Sequence, residues 1–220
     1  MSRSTWWRGS LFVAGAGILI GGPQHPGGTM AEMLAHPAWV RAHLWVLLGF
    51  LGLLAAQVLH RRDVALPPRS ARWARLAIWA TAIQAVEMVL HTAASVDHHN
   101  LVAGRATPVL SAHLAMAAVA YPLFGIVCSG WMIATSRDRT LGSPWIVWLG
   151  VAGALAHGAA APLVILLEIP QARILFPMVM LLALWCVVAT FWPVRAAARD
   201  AAGERAAGEA LGAPSTPAAG

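Results

Sequence analysis

Long apolar runs alternate along this chain with short segments rich in arginine, proline and glycine. Runs of this length predict helices able to cross a bilayer, over about residues 6–22, 38–59, 73–96, 109–135, 144–167 and 174–192. The expected fold class is therefore all-α: a polytopic membrane protein built as a six-transmembrane-helix bundle in one domain, residues 1–194. Residues 195–220 are small, polar and low in complexity, and are expected to form a disordered cytoplasmic tail. Arg3 and Arg8 precede the apolar run Leu11–Ile20, an order shared by first membrane helices and signal peptides. No clear small-x-small cleavage site follows in GGPQHPGG, so an uncleaved first helix is expected, with a cleaved signal as the alternative. Thr29-Met30-Ala31-Glu32 has capping-box spacing and predicts a short interfacial helix ending near His36-Pro37. Pro122 and Pro162 predict bends in the fourth and fifth spans.

One run breaks the apolar pattern. In TAIQAVEMVLHTAASVDHHN, Thr81, Gln84, Glu87, His91 and Ser95 recur at steps of three and four and form a polar stripe on one helix face. Lipid cannot satisfy a carboxyl group and an imidazole one turn apart, since a charged group at a helix centre costs about 2.5–3.5 kcal/mol on insertion scales. The stripe must find partners on other helices.

Composition agrees with the class: 59% of the residues are hydrophobic and 11% charged, against roughly 25% charged in soluble domains. The net charge of +6 does not point to nucleic acid, because the arginines fall in the short segments between apolar runs. Arg3, Arg8, Arg61, Arg62, Arg69, Arg72, Arg75, Arg137, Arg139, Arg195, Arg199 and Arg205 lie on one side; Arg41, Arg105 and Arg173 lie on the other. The positive-inside rule then puts both termini in the cytoplasm, N-in/C-in, and the cell inner (cytoplasmic) membrane is the expected location. Cys128 and Cys186 sit far apart in apolar runs without CxxC spacing, which supports neither a thiol redox motif nor a zinc knuckle.

This topology places His43, His91, His113 and His157, one on each of four consecutive spans, toward the outer half of the bilayer. At 1.5 Å per residue, His43, His91 and His113 lie roughly 7 Å below their outer helix ends, and Glu87 and His157 roughly 14 Å below. The expected site is thus two-layered, with Glu87 and His157 as floor and His43, His91 and His113 as upper ring. His36, Asp97, His98, His99 and Tyr121 are peripheral candidates.

Neutral imidazoles with one carboxylate suit a transition-metal ion such as Cu, Zn or Fe, and Glu87 and His91 at i, i+4 can face one ion. Glu87 is the candidate catalytic group, and the metal ligands would be His43, Glu87, His91, His113 and His157. One histidine on each of four consecutive spans resembles the cytochrome b561 type of six-helix electron carriers. That family sets its histidine pairs at two depths to hold two haems; here all four fall on one side. The resemblance therefore implies at most a single haem b, on an opposing pair such as His91 and His113.

The leading expectation is redox or metal-dependent chemistry, that of a metal- or haem-dependent membrane oxidoreductase, on a lipid-soluble or extracytoplasmic small molecule. The lipid bilayer is the expected surrounding, no nucleic-acid partner is expected, and an oligomer is compatible with the sequence. The same Glu and His residues equally suit a small proton-coupled permease or metal-ion transporter. A non-catalytic structural membrane subunit, its histidines bonding between helices, is the third reading.

Overall fold

The computed structural model describes residues 6–192. The region assigned to the tail lies outside the described residues.

The described residues form eight α-helices: α1 Trp6–Gly21, α2 Met30–Ala35, α3 Ala38–Asp63, α4 Pro68–Ala93, α5 His98–Val102, α6 Pro108–Arg137, α7 Val147–Ile165 and α8 Val179–Phe191. No strand occurs among the described residues. Five segments are long and apolar enough to cross a membrane: Ala38–Asp63, Pro68–Val102, Pro108–Arg137, Val147–Ile165 and Pro170–Phe191. Helix α1, at 16 residues, is shorter than these.

Helix ends follow local chemistry. Helix α3 runs on to Asp63, and its last turn carries His60, Arg61 and Arg62, which suit the negative end of the helix dipole. Helix α4 starts at Pro68, where a missing N–H costs nothing. The last span opens with a 3-10 turn, Pro170–Leu175, and becomes α-helical only from Val179, just past Pro177, which cannot donate to a preceding turn. In α2, Thr29 Oγ1 accepts from the Glu32 N–H and Glu32 Oε2 accepts from the Thr29 N–H, so the capping box is closed. The bonds that the Glu32 carboxyl accepts from the Thr29 N–H and from the Thr29 hydroxyl hold it below its usual range.

The long helices form a closed ring. Helix α1 packs on α3, α3 on α4, α4 on α6, α6 on α7, α7 on α8, and α8 returns to α1. Phe50, Phe124, Trp131, Trp185 and Leu53 fill the middle, while Trp79, Val119, Ile126, Ile174 and Phe191 point outward, as lipid-facing side chains would.

Helices α6 and α7 touch backbone to backbone. A Cβ on Gly158 would stand 2.9 Å from the Gly125 Cα and 2.9 Å from the Tyr121 carbonyl oxygen. Small residues at such a crossing give van der Waals contact that lipid cannot replace. Gly158→Leu should therefore wedge the helices apart and lower stability by about 1–3 kcal/mol. A fall in the thermal unfolding midpoint of detergent-solubilised protein would register it.

Candidate functional site

The polar stripe of α4 faces inward. Thr81, Gln84 and Glu87 are fully buried and His91 half-buried. Ser95 leaves the stripe, because the helix tightens into a 3-10 turn, Ala94–Asp97, where its hydroxyl donates to the Thr92 carbonyl.

Glu87 is the best-connected group. Its Oε1 accepts from His113 Nδ1–H on α6 at 2.7 Å, and its Oε2 accepts from Gln84 Nε2–H at 2.9 Å. His91 Nδ1, one turn above, is 3.7 Å from Oε1, close but beyond hydrogen-bond reach. The placement of His113 depends on how α6 begins. Asp97 Oδ2 accepts from the Leu110 N–H at 2.9 Å and satisfies a donor of the first helical turn. Asp97→Ala should cost about 1 kcal/mol, read as a lower unfolding midpoint and faster proteolysis near Thr107.

Trp39 ties α3 to α4. Its indole N–H donates to the Thr92 carbonyl at 3.2 Å, and its ring stacks on His91 with centroids 5.1 Å apart. His43, one turn along α3, donates from Nδ1 to the Trp39 carbonyl at 2.6 Å. A carbonyl can only accept, so the proton sits on Nδ1 and the lone pair on Nε2. That Nε2 is buried without a hydrogen-bond partner, as is His91 Nδ1. The two rings that carry these unpartnered nitrogens are 4.4 Å apart.

The imidazoles form a row. Ring centroids are 4.8 Å apart for His25 and His43, 4.4 Å for His43 and His91, and 4.2 Å for His91 and His113. Two overlapping sets of ligand atoms gather within 4.8 Å of one another: His25, His43 and His91, and Glu87, His91 and His113.

His157 stands apart from both sets. Its ring stacks on Tyr121 at 4.5 Å and lies near Phe50 and Phe124, and neither ring nitrogen has a hydrogen-bond partner. The Gly125–Gly158 contact turns this face of α7 against Tyr121. His36 is exposed, and its Nδ1 accepts from the Ala38 N–H at 3.1 Å at the start of α3. His98 and His99 pair with each other at 5.0 Å. Asp97 serves the helix start described above.

His25, by contrast, sits at the outer end of the row, where the sequence places it only as a loop histidine of the outer face and not as a ligand. Pro23 and Pro26 flank it and limit the loop, and Gln24 ties that loop to α1 and α3 by donating to the Ile20 carbonyl at 2.9 Å and accepting from Arg41 Nε–H at 3.0 Å. Partial burial among neighbouring rings holds its pKa below the ordinary histidine value, opposed by the hydrogen bond it donates from Nδ1 to the Pro26 carbonyl at 2.8 Å.

Fold and site together define a helical protein with five segments suited to crossing a membrane and with buried His/Glu groups that could hold a metal ion. Comparisons with protein-family models, curated proteins and solved structures found no match to the chain.

Proposed function

We propose that the protein is a multi-pass membrane protein of six spans, with α1 as the sixth and both termini cytoplasmic, that binds a transition-metal ion between α3, α4 and α6. His91 and His113 supply imidazole nitrogen, the Glu87 carboxylate supplies the negative charge that a cation needs in a medium with little water, and His43 stands beside them in an overlapping set with His25 and His91. The observation that carries this reading is the pair of unpartnered buried nitrogens, His43 Nε2 and His91 Nδ1, beside a fully buried carboxyl group.

The donor set fits a bare ion better than a haem. The His91 and His113 ring centroids are 4.2 Å apart, too close for a porphyrin and its iron to stand between the two rings. Nitrogen and carboxylate donors suit Zn, Cu or Fe, and the bound ion would supply Lewis-acid or redox chemistry to a lipid-soluble or extracytoplasmic small molecule. Around it the chain holds His43 in one tautomer through the Trp39 carbonyl and keeps Glu87 oriented through Gln84, the kind of outer support that metal ligands generally have.

Elemental analysis of protein purified in detergent without chelator should find about one transition-metal ion per chain, with no haem absorbance near 400 nm. Metal-free protein that also fails to take up Zn2+ or Co2+ on titration would end this reading and favour a purely structural use of the histidines.

A further inference from the structure

The two sets of ligand atoms differ in depth, in charge and in readiness, and they share His91. Resting on the metal reading above, we infer that His25, His43 and His91 form an entry position for a divalent transition-metal ion arriving from the aqueous side of the His25 loop. His91 then hands the ion to a second position made with Glu87 and His113.

Readiness favours the outer position as the first stop. His25 and His43 both donate Nδ1–H to backbone carbonyls, of Pro26 at 2.8 Å and Trp39 at 2.6 Å, so both present an Nε2 lone pair without rearrangement. His43 is 2% exposed and its Nε2 has no partner, whereas His25 keeps an exposed edge through which an ion can reach the group from water. The anchoring of Gln24 to both α1 and α3 fixes the His25 ring over His43.

Charge favours the inner position as the destination. Three neutral imidazoles leave the ion's full charge uncompensated at the entry, while one layer deeper Glu87, 0% exposed, offsets part of it where dielectric screening is weak. The inner position is closed until the ion comes, because His113 and Glu87 are hydrogen-bonded to each other at 2.7 Å. Opening that bond moves the His113 proton from Nδ1 to Nε2, so the imidazole stays neutral and no net proton is lost. His91 belongs to both sets, so the two positions adjoin and the ion has a short way to travel between them. Two dications on a shared imidazole would repel strongly, so the positions fill one at a time.

The test uses full-length metal-free protein in lipid nanodiscs mixed rapidly with Co2+, whose visible absorption reports its ligands. The wild type should load in a fast phase followed by a slower spectral change, and should hold one Co2+ per chain at saturation. His25→Ala should slow loading at least 10-fold. Glu87→Gln should keep the fast phase, lose the slower change, and release Co2+ to EDTA at least 10-fold faster than the wild type. Loading of His25→Ala at the wild-type rate, or two Co2+ per wild-type chain, would overturn the hand-over and leave the metal reading standing. A wild type that binds no Co2+ or Zn2+ would remove the metal reading and this inference with it.

Discussion

Glu87→Gln is expected to weaken equilibrium binding of a divalent transition-metal ion by about 100-fold or more, since loss of even a supporting partner of a metal ligand costs about 10–100-fold. Glutamine matches glutamate in shape, so its oxygen can still accept from His113 Nδ1–H, at 2.7 Å in the wild type. The variant therefore keeps the contact between α4 and α6, removes the charge, and puts an amide NH2 where Oε2 accepted from Gln84 Nε2–H, a donor that the unpartnered Gln84 carbonyl can meet by turning. Charge is what matters to a cation here: Glu87 is fully buried, and the groups nearest it, His91, His113 and Gln84, are imidazoles and an amide that bring no compensating anion. Titration of nanodisc-embedded protein with Co2+, in competition with a chelator of known affinity, measures the change. Equal affinity for wild type and variant would take the carboxylate out of the metal site, leaving it as a strut between helices.

The parts of this molecule that could be read from the sequence are those written in periodicity and punctuation. Apolar runs give the long helices, prolines and arginines mark their ends, and the three-residue steps of Thr81, Gln84 and Glu87 give a face that is wholly buried in the fold. Counting residues along a helix also gives depth, which is why His43, His91 and His113 could be set at one level. Rotation of a helix about its axis is a different quantity. Helix α7 is apolar or small almost all round, so nothing in its pattern says which way His157 turns. Its direction comes from the contact of Gly158 with Gly125, a pairing of residues 33 positions apart that has no sequence signal of its own. His25 escaped for another reason. It lies in a loop with no period, where the informative feature is stiffness, from Pro23, Pro26 and the Gln24–Arg41 hydrogen bond, and the last of these exists only once α3 has folded beside it.

His113→Ala should be the most destabilising single substitution among the site residues, at about 3–5 kcal/mol, the range for breaking a buried pair by removing one partner. It removes the shortest hydrogen bond to Glu87 and leaves Oε1 facing His91 Nδ1 at 3.7 Å. The cost comes from the orphaned carboxyl group more than from the lost imidazole, so a second substitution that removes the charge should recover part of it. The double variant Glu87→Gln, His113→Ala is thus expected to be more stable than His113→Ala alone, with a coupling energy of about 1–3 kcal/mol between the two positions. Thermal unfolding of the four proteins in one detergent, stripped of metal so that ion binding adds nothing to any of them, gives the cycle. Strictly additive effects would mean that His113 supports the bundle through packing and that its hydrogen bond to Glu87 contributes little. A strong coupling would make the hydrogen bond between His113 and Glu87 the tie that holds α4 to α6 at this depth.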